Sequence, residues 1–157
     1  MTERFVVRDM TRADADAIAS WRYEPPYDAY DWSEDPADLA DLLDPAGWGE
    51  VWFAVDDAET GEVAGFAELH LIGDLVEIGL GMRPDLTGLG LGARFTQAIV
   101  DFACERWRPV RIGLDVLPWN ERAMRAYEEV GFARGDRYVR RFDDGAQTEF
   151  VRMERPA

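Results

Sequence analysis

The sequence predicts one domain, spanning residues 1–157, of the α/β class: a mixed central sheet of about seven strands flanked by about four helices. Two observations predict it. Strand-like apolar runs and segments of helical periodicity follow one another in the order β-α-α-β-β-β-α-β-α-β-β. The length of 157 residues and the hydrophobic content of 47% suit a single compact core. Helices between some strands and short loops between others predict both parallel and antiparallel pairing.

The chain begins with a predicted strand, a helix and a long loop. The strand is Arg4–Arg8, and the helix is Arg12–Trp21, with Thr11 followed by Asp14 as its N-cap signal. The next segment, Tyr23–Trp32, contains two adjacent prolines, which exclude a regular helix. We therefore expect a loop, and it is unusually rich in aromatic side chains.

A second helix and three strands complete the first half. Proline at the first position and leucines on one face predict a helix at Pro36–Leu43. Val51–Val55 and Val63–Leu69 flank a segment with the composition of a hairpin loop, so they should be antiparallel neighbours. Leu75–Met82 is a further strand, which ends at Arg83-Pro84.

The second half alternates helices and strands. Apolar residues recur at helical spacing over Gly90–Trp107, which predicts an amphipathic helix. A strand at Val110–Leu117 precedes a helix at Glu121–Val130, and Gly131 is expected to end that helix in a left-handed conformation. The chain closes with a predicted hairpin of strands Tyr138–Phe142 and Thr148–Met153.

The charge of the chain restricts its partners. Its net charge is -15, with 32 acidic residues against 17 basic residues, all of them arginine. We expect no nucleic-acid partner, because phosphate binding needs a basic surface. Two explanations of the acidity stay open: it is typical of salt-loving or GC-rich organisms, and an acidic surface would also steer cationic amines toward a site.

The sequence gives no sign of a membrane segment or a metal site. No apolar run approaches the length of a membrane helix, and Met1–Arg4 lack the basic start of a signal peptide, so we expect a cytoplasmic protein without membrane association. Cys104 is the only cysteine, and no zinc-ligand spacing surrounds it, so we expect neither a disulfide nor a bound metal.

A cluster of three alternating glycines, Gly88, Gly90 and Gly92, lies between a predicted strand and the strongest helix. Bare backbone at a helix N-terminus can bind a phosphate without lysine. The alternative is that the glycines only form a tight turn and allow close helix packing. A dinucleotide fingerprint would also fit loosely, but Pro84–Thr87 separate it from its strand and the chain is too short, which disfavours an oxidoreductase.

A second motif places Asn120 at a strand-to-helix junction and Tyr127 seven residues later. Seven residues are two helical turns, so both side chains should lie on one face of the helix. Taken alone, Tyr127 would also suit a half-buried core position.

Together the two motifs resemble those of the GNAT acetyltransferases. The family's first pattern is an arginine or glutamine, two residues, then Gly-x-Gly/Ala; the second is Asn-x-x-Ala-x-x-x-Tyr-x-x-x-Gly-Phe, which Asn120–Phe132 match without a gap. The resemblance is close over Leu75–Phe132. One departure is Thr87, which stands where the family usually has arginine or glutamine, so the resemblance implies one side-chain contact to the pyrophosphate fewer.

The resemblance implies an N-acetyltransferase of the GNAT fold that uses acetyl-CoA as co-substrate. Met82 and its strand neighbours would pair with the pantetheine arm, Asn120 would contact the cofactor arm near the thioester, and Tyr127 would act as general acid beside the CoA sulfur. The residues implied to wrap the pyrophosphate are Thr87, Gly88, Leu89, Gly90, Leu91, Gly92 and Ala93.

The general base is left open among three carboxylates. Glu77 lies on the strand before the glycines and Asp115 on the strand before Asn120, while Glu68 lies on the preceding strand. We favour Glu77, acting through water, although each carboxylate would also suit the polar face of a strand. His70 is a weaker candidate.

The aromatic loop lies where relatives of this family bind the acceptor. Its side chains would form an apolar or cation-binding wall, or else cover the edge of the core; they are Tyr23, Tyr27, Tyr30 and Trp32. The predicted reaction is direct acetyl transfer to a primary amine of a small molecule or of a peptide or protein N-terminus. A non-catalytic acyl-CoA-binding module is the alternative, and edge strands at the C-terminus are compatible with a homodimer.

Overall fold

The structure, a computed structural model, describes residues 3–157, so Met1 and Thr2 of the segment considered for a signal peptide lie outside the described residues. The strands are β1 (Phe5–Asp9), β2 (Trp52–Asp57), β3 (Glu62–Ile72), β4 (Leu75–Met82), β5 (Arg111–Val116), β6 (Ala133–Arg141) and β7 (Gln147–Pro156). The α-helices are α1 (Arg12–Ala19), α2 (Pro36–Leu42), α3 (Gly92–Trp107) and α4 (Glu121–Glu129). The strands are hydrogen-bonded in the order β1-β2-β3-β4-β5-β7-β6, which confirms the predicted mixed sheet and the order of its elements.

The chain divides into two compact units. The first comprises the residues up to Leu69 together with Leu80–Leu91, and the second comprises His70–Gly79 with Gly92–Ala157. The description of residues 1–157 as one domain stays a prediction.

In the first unit, β1, β2 and β3 form an antiparallel sheet. Thr11 caps α1 in the predicted way: its hydroxyl accepts a hydrogen bond from the Asp14 backbone N–H, and the Asp14 carboxylate accepts one from the Thr11 N–H. The Arg8 guanidinium joins the carboxylates of Asp14 and Asp56, which ties the helix to the sheet. The core of this unit is formed by Met10, Ala15, Ile18, Trp21, Trp32, Leu42, Trp52 and Ala54.

In the second unit, β4 runs parallel to β5, and β5 and β6 pair antiparallel with β7. Alternate residues therefore lie on opposite faces of these strands. One face is apolar and fully buried, as at Ile112 and Met153, whereas the other presents Glu77, Asp115 and Arg152. The buried apolar side chains of α3 complete the core; they are Phe95, Ile99, Val100 and Ala103.

Most element boundaries differ from the sequence prediction by one to three residues, and two of the differences have a clear physical reason. Helix α3 begins at Gly92 and not at Gly90, because Gly90 has a φ of 76°, which no right-handed helix contains. Strand β6 begins at Ala133 and not at Tyr138. All of its residues are exposed, so its first half lacks the alternation of apolar and polar residues from which a strand is predicted. Gly131 has a φ of 96°, which confirms that it ends α4 in the left-handed conformation.

Candidate active site

The glycine loop of the first unit follows a short turn at Pro84–Leu86. The Thr87 hydroxyl donates a hydrogen bond to the Pro84 carbonyl oxygen at 2.6 Å, which closes that turn. Gly88 and Gly90 then adopt φ angles of 73° and 76°, and both are exposed. A Cβ atom added at Gly90 would meet nothing within 4 Å, so open space borders the bare backbone there. Such a backbone suits a phosphate group, which needs N–H donors and room more than it needs a side chain.

Gly92, in the second unit, has a role in helix packing. A Cβ atom added there would lie 3.2 Å from the Cβ of Ala126, so the glycine permits close packing of α3 against α4. The first turn of α3 contains no acidic side chain that would oppose an anion. The packing explanation therefore applies to Gly92, whereas phosphate binding by the backbone of Gly88 and Gly90 stays a prediction.

At the end of β4, the Met82 carbonyl oxygen accepts a hydrogen bond of 2.7 Å from the Tyr23 phenol. Burial raises the pKa of Tyr23, and the nearby Asp31 carboxylate adds to the shift, so the phenol remains a proton donor at neutral pH. The Tyr23 backbone N–H is in turn held by the Asp31 side chain at 2.8 Å. The aromatic loop is thus attached to the strand end that the sequence resemblance assigns to the pantetheine arm.

The other three aromatic residues of this loop lie in different surroundings. Tyr27 and Tyr30 bound a short turn, where Tyr27 is half-buried and Tyr30 is exposed. Trp32 is only 8% exposed, and its ring packs in the core against Trp52 and Phe66 with centroid distances of 6.1 and 5.2 Å. Acceptor binding by the four residues stays a prediction.

The structure brings two of the candidate bases together. In the second unit, the Arg152 guanidinium lies 2.5 Å from the Glu77 carboxylate and 3.4 Å from that of Asp115. Asp115 also accepts a short hydrogen bond from the Tyr138 phenol. The third candidate, Glu68, lies in the first unit on β3, opposite Trp52.

Glu77 also marks the end of the pairing between β4 and β5. The two parallel strands are in register over three residue pairs, the last of which joins Glu77 to Gly113. Each strand continues beyond that pair, β4 to Met82 and β5 to Val116.

Arg152 was not among the residues that the sequence singled out. It alternates with buried Val151 and Met153 and looks like an ordinary outward-facing strand residue. Only the register of β7 against β5 shows that it faces Asp115.

The second motif lies on α4. Asn120 is the N-cap residue: its side-chain oxygen accepts a hydrogen bond of 3.1 Å from the Ala123 N–H, and the residue is buried. Tyr127 is half-buried, and its ring packs edge-on against Phe132 at a centroid distance of 6.1 Å. The motif thus includes a structural cap and an aromatic pair that fixes the tyrosine ring.

Residues 3–157 show neither a metal-binding cluster nor a membrane-spanning helix. No group of three His, Cys, Asp or Glu side chains there is arranged to hold a metal ion. None of the helices in this range combines the length and the apolar character needed to cross a membrane.

Comparison with known proteins gives the family and the fold. Residues 4–133 match the family described as an acetyltransferase (GNAT) domain. No curated protein matches the chain by sequence. Among solved structures, the spermidine N-acetyltransferase of Vibrio cholerae in complex with CoA and spermine is 24% identical, with a TM-score of 0.66 over 99% of this chain and 96% of that chain.

Two other solved structures show the same fold. The ribosomal-protein-S5-alanine acetyltransferase of Vibrio fischeri is 17% identical, with a TM-score of 0.66 over 99% of this chain and 94% of that one. A GNAT family acetyltransferase of Bacillus anthracis is 18% identical, with a TM-score of 0.75 over 100% of this chain and 96% of that one. The chain therefore belongs to the GNAT acetyltransferases, the acetyl-CoA-dependent N-acetyltransferases that its paired motifs predict.

Proposed function

We propose that the protein transfers the acetyl group of acetyl-CoA directly to the primary amine of a positively charged acceptor, either a small polyamine or the N-terminus of a basic peptide. The observation that carries the proposal is the exposed backbone at Gly88 and Gly90, with open space beside Gly90, in the loop that the family uses for its cofactor. When bound, acetyl-CoA supplies an activated thioester.

The glycine loop is proposed to hold the cofactor mainly through backbone N–H groups. The Thr87 hydroxyl is already committed to the Pro84 carbonyl, so it does not replace the arginine or glutamine usual in the family. The first turn of α3, from Gly92 and Ala93 onward, contributes N–H groups that have no partner within the helix. Leu89 and Leu91 would contribute backbone rather than side-chain contacts.

Tyr127 is proposed as the general acid. A phenol and a thiol have ordinary pKa values of about 10 and 8.5, so Tyr127 can give its proton to the leaving thiolate at small energetic cost. The edge-on contact with Phe132 restrains the ring, which favours a fixed proton position. Backbone N–H groups near Met82 are proposed to stabilise the oxyanion.

The base must act on an ammonium group, because an alkylamine with a pKa of about 10.4 is mostly protonated at neutral pH. Glu77 and Asp115 are the proposed carboxylates, and one of them accepts the proton, directly or through water. Both lie on the polar face of the second unit beside Arg152.

The charge distribution supports a cationic acceptor. No arginine or lysine occurs between Tyr23 and Met82, and the chain as a whole carries a net charge of -15. An acidic surface raises the local concentration of polyamines and basic peptides. Relatives in fold include proteins named for acetylating spermidine and a ribosomal-protein alanine.

The first experiment measures release of the CoA thiol from acetyl-CoA with polyamines, basic peptides and neutral amines as acceptors. Transfer to the cationic acceptors is expected to weaken with salt, because the screening length falls from about 10 Å at 0.1 M to about 3 Å at 1 M. Activity that requires high salt would instead support the halophilic explanation of the charge. Binding of CoA without transfer to any amine would favour the binding module.

A homodimer stays part of the proposal. Strand β6 is the edge of the sheet and is exposed along its whole length, which leaves a backbone edge available for pairing. Sedimentation of the purified protein would measure the oligomeric state.

A further inference from the structure

Arg152 joins the two carboxylates proposed as bases. Its side chain extends from β7 across β5 toward β4, and one nitrogen, Nη1, lies 2.5 Å from Glu77 Oε2 and 3.4 Å from Asp115 Oδ1. Its Nε donates to Glu154 Oε2 at 3.0 Å, which fixes the plane of the guanidinium. Arg152 is thus held by carboxylates at both ends of its donor group.

Gly113 allows the Arg152 side chain to cross β5. It pairs with Glu77 on β4, and Asp115, two residues further along β5, pairs with Arg152. A Cβ atom at Gly113 would lie 2.1 Å from Arg152 Nη2 and 2.8 Å from Cζ, closer than any two such atoms approach. The guanidinium therefore occupies the space that a side chain on β5 would fill.

The two carboxylates are not equivalent. Asp115 uses both oxygens: Oδ1 faces Arg152, and Oδ2 accepts from the Tyr138 phenol and lies 3.9 Å from Arg140. Glu77 has a single partner, Arg152, on Oε2, and its Oε1 accepts no hydrogen bond from the described residues. The Glu77 side chain is also more exposed, at 28% against 14% for Asp115.

We propose that Arg152 is a positioning residue, which holds Glu77 as the general base, and that Asp115 anchors Arg152. The inference rests on the proposed acetyl transfer. Glu77 accepts a proton from the acceptor ammonium and passes it to water, which frees the nitrogen lone pair. The C–N bond then forms and the C–S bond breaks; the nitrogen gives its second proton to water, the thiolate gains one from Tyr127, and the Tyr127 phenolate takes up a proton from water. One proton is released in total.

The test compares Arg152→Gln, Arg152→Lys and a matched control, Arg137→Met. The glutamine variant should lower kcat about 10- to 100-fold, the range expected when a reacting group loses its alignment, with little change in the KM for acetyl-CoA. Lysine should restore most of kcat, because a single nitrogen contacts both carboxylates in the wild type. The control removes the exposed Arg137–Glu149 ion pair of the same hairpin and should leave kcat unchanged.

A double-mutant cycle shows whether Arg152 acts through Glu77. In a Glu77→Gln background, adding Arg152→Gln should lower kcat no further, because the group that it positions is already lost. Asp115→Asn should reduce kcat less than Glu77→Gln. Thermal unfolding of each variant checks that it is folded. The Arg152→Lys variant keeps the positive charge beside the Glu77 and Asp115 carboxylates.

Two results would overturn the positioning role of Arg152 and leave the proposed acetyl transfer standing. They are wild-type kcat in Arg152→Gln, and an equally large loss of kcat when that change is made in the Glu77→Gln background. A wild-type protein that transfers acetyl to no amine would overturn the proposed function and this inference together, so the two failures are distinguishable.

Discussion

Replacing Gly90 with alanine would separate the conformational role of this glycine from its proposed role in cofactor binding. Its φ of 76° is in the left-handed region, where a residue with a Cβ costs about 1–2 kcal/mol. No atom lies within 4 Å of the added Cβ, so no clash adds to this cost. The unfolding temperature should fall by roughly 2–8 °C for a chain of this size.

The effect on the cofactor is expected to be separate and larger. The methyl group would occupy the open space beside the backbone N–H groups that we propose to hold the pyrophosphate. Loss of one hydrogen bond to a charged group costs about 1.5–3 kcal/mol, which corresponds to roughly a 10- to 100-fold weaker Kd for CoA. Isothermal titration calorimetry measures that Kd directly.

Gly61 offers a matched control in the same unit. Its φ is 74°, and an added Cβ there also meets nothing within 4 Å. Gly61→Ala should therefore lower the unfolding temperature by a similar amount and leave the Kd for CoA unchanged. Equal Kd values for wild type, Gly61→Ala and Gly90→Ala would refute the assignment of the loop to the pyrophosphate.

Three further predictions concern other parts of the chain. Tyr127→Phe should lower turnover about 10²- to 10⁴-fold while the Kd for CoA stays the same; unchanged turnover in acetyl-transfer assays would exclude the general-acid role. Tyr23→Phe removes the hydrogen bond to the Met82 carbonyl and should lower the free energy of unfolding by about 0.5–1.5 kcal/mol, measured by urea titration, and raise the KM for acetyl-CoA. Burial alone would raise the pKa of Asp14, but hydrogen bonds from Arg8 and Thr11 outweigh it, so the pKa is lowered from 3.8. Because the stabilisation from a lowered pKa is full above the ordinary value and is lost as the pH falls through the lowered one, the advantage of wild type over Asp14→Asn should be full at neutral pH and shrink as the pH falls below about 4; an advantage that does not shrink in acid would contradict this.

Local signals predicted much of the fold. The Thr11–Asp14 pair and Gly131 are capping signals whose geometry depends on neighbours only a few residues away, and the structure contains both caps. The first half of β6 was missed because it is an exposed edge with a register shift between Arg134 and Arg137, which leaves no alternating pattern.

The site was harder to predict because its contacts join distant parts of the chain. The aromatic character of Tyr23 makes it a predicted site residue, but its partner, the Met82 carbonyl, is 59 residues away and is a backbone group without a sequence signature. Arg152 and Glu77 are 75 residues apart and meet only because Gly113 lacks a side chain between them. Such contacts depend on strand register, which residue types alone do not specify.

The use of arginine rather than lysine between Glu77 and Asp115 affects whether the enzyme can acetylate its own side chain. Burial alone would lower the pKa of Arg152, but hydrogen bonds with Glu77 and Glu154 outweigh it and the pKa is raised, so the guanidinium stays charged. In the Arg152→Lys variant the initial kcat would be largely kept, but a lysine amine close to an acetyl donor is itself a potential acceptor, and its acetylation over many turnovers would remove the charge. This sequence contains no lysine at all, so an enzyme that acetylates amines has here no lysine side chain of its own to acetylate during turnover.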